Sequence, residues 1–139
     1  YMLMTDLDFI NEGNTVFIKR IDGILNGNGH KISNIKLSNR SLINDLYGKI
    51  INLEIINFEQ EDATGGMIYM LQPEGIIDNV HMSNVNIKMT GNGYVGGLAR
   101  QAWVSTIKNS SINNINIIVE RNQNQRDRSF IGGIVRPYG

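Results

Sequence analysis

The sequence predicts an all-β domain, a right-handed single-stranded parallel β-helix of about four coils, and three observations predict it. Apolar alternation slips at asparagines, one Ile-x-Asn pattern recurs four times, and a Gly-Gly element follows each of the last three copies. Composition agrees. The 139 residues hold 22 Ile and 19 Asn but two Pro, which suits short strands joined by turns that need left-handed backbone and disfavours helix.

The slip is plainest in "IINLEIINFE", residues 50–59. Ile51, Leu53 and Ile55 alternate as a half-buried strand should, yet Asn57 falls on their face and Ile50 and Ile56 break the rhythm. Asparagine is the non-glycine residue that best tolerates left-handed backbone. It can therefore bend a strand sharply while both arms keep their side chains on the core. In the copy from 77, Ile77, Val80, Met82, Val85 and Ile87 can all point inward if the chain turns at Asn79 and Asn84.

The four copies are "ISNIKLSN" from 32, "IINLEIIN" from 50, "IDNVHMSN" from 77 and "IKNSSINN" from 107, spaced by 18, 27 and 30 residues. "GGMI" at 65, "GGLA" at 96 and "GGIV" at 132 follow the last three. Two Asn corners and one Gly-Gly element per repeat describe a three-sided coil whose equivalent residues stack. Stacking puts Asn52, Asn79 and Asn109 in one column and Asn57, Asn84 and Asn114 in another, where amides can bond along the stack as in cross-β ladders. The expected layout is one domain with an amino-terminal cap at 1–20 and coils at about 21–48, 49–75, 76–106 and 107–139.

Thirteen basic residues balance thirteen acidic ones, so no long-range field draws the chain to nucleic acid or an anionic membrane. Cysteine is absent, which removes disulfides, thiolate metal sites and a Cys nucleophile. No apolar run approaches a membrane span. Starting at Tyr1 and stopping just after the apolar run in "IVRPYG", the sequence reads as a fragment of a larger protein.

No catalytic, cofactor or metal constellation is expected in this chain. His30 and His81 lie 51 residues apart; the first reads as a turn residue stacking on the next coil, the second as an outward strand residue. A glycan-active β-helix would need grouped carboxylates for calcium and an Arg or Lys base. The outward positions after the first corner read instead as Lys36, Glu54, His81 and Ser111. "NGNG" at 26 and "TGNG" at 90 are tight turns and not phosphate cradles, and Trp103 and Tyr94 read as single aromatics rather than a stacking platform. Coils lengthen between the second Asn and the Gly-Gly pair, and solenoid insertions commonly map to a binding face. The longest, "ERNQNQRDRS" at 120–129, carries Arg121, Arg126 and Arg128 as a candidate partner-binding loop.

"IDGILNGNGHKISNIKL" from 21, "LINDLYGKIINLEI" from 42 and "YVGGLARQAWVSTIKNSSI" from 94 resemble the β-helical (GLUG-like) amino-terminal domain of bacterial zinc metallopeptidases of the immunoglobulin A protease and Zmp type. The resemblance runs from "DLDF" at 6 through "GGIV". The sequence departs from the simple GLUG consensus at Tyr47, where Phe is usual, and at "ARQA", where Gly would follow the first Ala. The resemblance implies a non-catalytic module of a secreted or cell-wall-anchored bacterial metallopeptidase. That module would position the protease or contact a host protein such as immunoglobulin, or other domains of the parent chain. Zinc is expected in the parent's catalytic domain, since the H-E-x-x-H signature is not here. A GLUG-type adhesin without protease is the alternative, and a glycan-active β-helix the third reading.

Overall fold

The structure, a computed structural model, describes residues 1–12, 17–62, 65–90, 93–120 and 130–137. Every strand pairing among them is parallel, and the strands stack as a β-solenoid of about four turns. The longest strands carry the bends inside them. β6 (Lys49–Glu61) pairs with β8 (Ile76–Thr90) from Lys49↔Ile76 to Glu61↔Lys88, and the paired run is interrupted at Asn52/Asn79 and at Asn57/Asn84. All four asparagines have positive φ, between 54 and 59°. Each bend thus follows from one residue that accepts left-handed backbone at low cost.

Each full coil has four arms rather than three sides. In the second they are 49–51, 53–56, 58–61 and β7 (Ile68–Leu71). The first three arms build a seven-stranded sheet that also holds β1 (Leu7–Asp8), β3 (Ile24–Asn26), β4 (Lys31–Ser38), β11 (Thr106–Lys108) and β12 (Ser111–Glu120). The fourth arms build a five-stranded sheet of β2 (Ile18–Ile21), β5 (Ile43–Leu46), β7, β10 (Ala99–Ala102) and β14 (Val135–Pro137). A third corner, absent from the two-corner reading, separates arms three and four at Asn39 (φ 60°) and Asp62 (φ 55°). β9 (Tyr94–Gly96) and β13 (Phe130–Gly132) pair beyond it.

The register corrects one alignment. Ile32 pairs with Ile55 and Ile35 with Phe58, so Asn34 stacks on Asn57 and Asn39 on Asp62. Aligned by its motif, "ISNIKLSN" falls one arm early, because an Asn at each corner makes the motif match itself after a shift of one arm. The outward row after the first corner is therefore Lys31, Glu54, His81 and Ser111, and Lys36 faces Glu59 one arm later. Residues 1–9 do more than cover an end. Met2 bridges Asn26, Leu7 pairs with Ile32 and Asp8 with Ser33, which makes them the start of a further, rudimentary coil.

Inside, like sits on like. Ile50 lies on Ile77, Leu53 on Val80, Ile55 on Met82 and Phe58 on Val85, all fully or nearly fully buried. The five inward residues expected in the copy from 77 are all in this core. Burying each such side chain contributes about 1.5–3 kcal/mol, and stacking lets every coil reuse the same set of contacts. One column breaks the rule. Between Leu37 and Ile87 sits Gln60, 0 % exposed. Its Nε2 donates to the Arg40 carbonyl (2.8 Å) and its Oε1 accepts from the Gly66 N–H (2.8 Å), so it ties the preceding coil to the turn that enters its own fourth arm.

The Gly-Gly elements sit where coils touch backbone to backbone. Gly66 has φ 149°, and a Cβ there would lie 2.5 Å from the Gly96 carbonyl oxygen and 2.8 Å from the Arg100 nitrogen. At Gly97 a Cβ would lie 2.7 Å from the Gly133 carbonyl oxygen. No side chain fits at such separations, which explains the glycine at these two positions.

Two stability outcomes are expected. Gln60→Leu matches its apolar column yet strands the Gly66 N–H and the Arg40 carbonyl, so denaturant unfolding should show a loss of about 1–3 kcal/mol. Asn84→Leu should cost a similar ~1–3 kcal/mol through strained backbone and lost amide bonds, and Asn84→Gly, which relieves the backbone alone, should cost distinctly less.

Candidate functional site

Two amide columns frame the solenoid, and they differ. In the second, Asn114 donates to Asn84 (2.8 Å), Asn84 to Asn57 (3.1 Å), Asn57 to Asn34 (3.0 Å) and Asn34 to the Asp8 carboxylate (2.9 Å). The run points one way and ends on a group that only accepts. In the first, Asn79 donates to Asn52 (2.9 Å), but Asn109 turns to Asp78 (3.0 Å) instead of Asn79. The reason is His81, whose Nε2 takes the Asn79 Oδ1 (2.9 Å) while its Nδ1 meets the Ser111 hydroxyl (2.7 Å). Asn79 Oδ1 can only accept, so Nε2 carries the proton there.

His81 faces outward as expected. His30 reaches back and not forward, its Nδ1 lying 3.1 Å from Asp6 Oδ1. The Lys31 backbone N–H, and after it the His30 ring, hold the Asp6 carboxyl below its ordinary value. Among the described residues no three His, Cys, Asp or Glu side chains gather as metal ligands, and no helix is long and apolar enough to cross a membrane. Arg121, Arg126 and Arg128 lie outside the described residues.

Two outer faces remain to compare. On the third arms, Lys36 meets Glu59 (3.6 Å) and Lys88 meets Glu120 (3.4 Å), so opposite charges there face one another in solvent. The five-stranded sheet is different. Pairing aligns Arg20, Asp45, Met70 and the buried Gln101 in one row and, next to it, Lys19, Asn44, Tyr69 and Arg100 in another. At the adjoining corner, Tyr47 donates its backbone N–H to Ile21, Gln72 to Leu46 and Trp103 to Leu71, so Asp22, Tyr47, Gln72 and Trp103 form a third row.

Three clusters organise this face. Arg20 grips Asp22 (Nη2–Oδ1 2.6 Å, Nε–Oδ2 2.8 Å), and its guanidinium lies 4.0 Å from the Tyr47 ring centre. The hydrogen bond from Arg20 holds the Asp22 carboxyl below its ordinary value, and the same bond raises the Arg20 value. Asp45 accepts from the Asn44 amide (2.6 Å) and from the Gln72 amide (2.7 Å). Arg100 sits 4.4 Å from the Tyr69 ring centre and 4.9 Å from that of Tyr94. Trp103 and Tyr47 are each 38 % exposed. Beside Trp103, Val104 is 88 % exposed at φ 38°, a conformation a β-branched residue rarely adopts. Its carbonyl accepts from the Glu74 N–H (3.1 Å), which holds the turn in place.

Tyr94 is thus not isolated, since it shares Arg100 with Tyr69. Comparison with protein-family profiles, curated proteins and solved structures finds no match. The sequence did carry a signal for this face. Tyr47 and Arg100, two positions at which the sequence departs from the consensus it resembles, are both partly exposed here.

An acid response is expected at the amino end. Because the folded Asp6 value is depressed, its stabilisation is complete above the ordinary carboxylate value and is lost as pH falls through the lower folded one. Hydrogen-exchange protection of the Leu3 and Phe9 amides, which donate to Asn26 and Ser33, should fall in that range. In Asp6→Asn this acid step should be missing.

Proposed function

We propose that the domain is a non-catalytic recognition module of a secreted or cell-wall-anchored bacterial protein, a zinc metallopeptidase of the immunoglobulin A protease type. It holds a host protein such as immunoglobulin, or a neighbouring domain of its parent, on the outer face of the five-stranded sheet. One observation carries the contact surface. Stacking gathers Tyr47, Tyr69, Tyr94, Trp103, Arg20 and Arg100 onto one face from four coils, with Asp22, Asp45, Asn44 and Gln72 between them. Aromatic and arginine side chains of this kind are the ones that dominate interface energies.

The parent's identity rests on "IDGILNGNGHKISNIKL", "LINDLYGKIINLEI" and "YVGGLARQAWVSTIKNSSI". Both histidines serve the scaffold. His81 joins Asn79 to Ser111, and His30 ties the first coil to Asp6. Zinc and the scissile chemistry then belong to the parent's catalytic domain, and this chain supplies placement.

Immobilised immunoglobulin A titrated with the domain tests the reading. The wild type should bind, and Tyr47→Ala combined with Trp103→Ala should weaken binding tenfold or more, about 1.4 kcal/mol. Unchanged thermal midpoints would show that the solenoid is intact. Equal binding by the double variant removes the face from the contact, and no binding by wild type removes immunoglobulin as the partner.

A further inference from the structure

Arg100 is the part-buried cation of this face that meets no carboxylate. Among the described residues Arg20, Lys36, Lys88 and Lys108 each meet one, while Arg100 and the exposed Lys19 on the same sheet do not. Its guanidinium is instead fixed by tyrosine rings and by one bond from Nη1 to Gln101 Oε1 (3.2 Å), and its Nε is sealed from solvent with no acceptor. The side chain is part-exposed. A cation fixed at a half-buried position without an anion is preorganised for one, since its fork matches a carboxylate and the partial burial limits screening.

The surroundings say what carries that carboxylate. Asn44 and Gln72 commit amide hydrogens to Asp45, which leaves their carbonyl oxygens as acceptors for hydroxyl donors. Trp103 and Tyr47 offer half-exposed rings on the corner row, surfaces suited to the C–H face of a pyranose. Asp22 and Asp45 lie on the same face. Asp45 is two coils from Arg100, roughly 10 Å at the usual strand spacing. Arg20 compensates Asp22, but Asp45 is held only by neutral amides and would repel a chain bearing an acid at every residue. A glycan bearing one carboxylate among neutral sugars would not be repelled.

We infer that Arg100 binds the carboxylate of an acidic pyranose, a hexuronate or a sialate, within an otherwise neutral glycan, and that Asn44, Gln72, Tyr47 and Trp103 take the sugars beside it. The inference rests on the reading of this face as the contact surface and names the chemistry it recognises.

The chain's single tryptophan reports the test. Trp103 fluorescence and calorimetry of the wild type are followed with 3′-sialyllactose, a hyaluronan tetrasaccharide, lactose and hexaglutamate. One of the two acidic sugars should bind at least tenfold more tightly than lactose and than hexaglutamate, and which of them does so distinguishes sialate from hexuronate. Arg100→Gln should lower that affinity tenfold or more at an unchanged thermal midpoint. Arg100→Lys, which keeps the charge and loses the fork, should still be several-fold weaker than wild type.

The inference is overturned if neither acidic sugar binds, if lactose binds as well, if Arg100→Gln binds equally, or if hexaglutamate binds more tightly and marks an acidic peptide as the occupant. The wild-type titrations decide this even if an Arg100 variant fails to fold. Should the sugars fail while the Tyr47 and Trp103 variants still lose immunoglobulin, the face stands and this inference alone falls. Should the sugars bind while those variants hold immunoglobulin as well as wild type does, the protein-contact reading falls instead.

Discussion

A strand that must turn without leaving its neighbours is the constraint on which this solenoid depends. Parallel pairing between coils requires that every coil turn at the same place, so the left-handed residue recurs in columns: Asn34, Asn57, Asn84 and Asn114 at one corner, Asn52, Asn79 and Asn109 at another. Glycine would meet the backbone demand, but only asparagine adds a donor and an acceptor that reach the coils on either side. The second column shows the result, each amide donating toward the amino end until Asp8 accepts the last bond. These side chains are mostly exposed. Their contribution therefore comes from the backbone they permit and from amides aligned by stacking, and burial adds little to it.

The same constraint separates inside from outside. An inward side chain must fit its neighbours on the stack, so Ile50, Leu53, Ile55 and Phe58 each meet an apolar residue on the next coil. Gln60 is tolerated in the interior because its polar atoms are all taken up, Nε2 by the Arg40 carbonyl and, more distantly, the Gly66 carbonyl, and Oε1 by the Gly66 N–H. That satisfaction is what a buried amide requires. An outward side chain meets no such rule. Asn44, Tyr69 and Arg100 share a row without sharing any chemistry, and this freedom lets a repetitive scaffold carry a non-repetitive surface.

That asymmetry explains what the sequence could and could not reveal. The β-solenoid, the corners at Asn79 and Asn84 and the inward set from Ile77 to Ile87 were legible, since each is a repeated demand of stacking. The register of the first copy was not, because asparagine also stands at the third corner at Asn39 and the motif overlays itself one arm out of place. The outward face was illegible for a different reason. Tyr69 lies 25 residues after Asn44, and Arg100 lies 31 after Tyr69, so only a known coil length brings them together, and the coil lengths differ. Departures from the repeat consensus at Tyr47 and Arg100 were the available trace. They mark positions where the scaffold's rule does not apply.

Those unequal lengths raise the question of how the fourth arms stay aligned. The stretch from the second-corner Asn to the Gly-Gly pair grows from Asn57–Gly65 to Asn84–Gly96 to Asn114–Gly132. Part of the growth is strand and not loop, since β12 stays paired with β8 out to Glu120↔Thr90, past the Glu61↔Lys88 pair at which β6 stops. The Gly-Gly pairs then restore the register. Gly96 donates to Gly65 (3.1 Å) and Gly97 to Gly133 (3.0 Å), and at Gly66 and Gly97 a Cβ would collide with the backbone of the next coil. After them Ala99 meets both Ile68 and Val135. Insertions on one side of this clamp leave the rows on the other side in place, so Tyr69 and Arg100 stay side by side whatever length precedes them. The glycines thus allow the lengthening segments and the aromatic–arginine face to vary independently on one small scaffold.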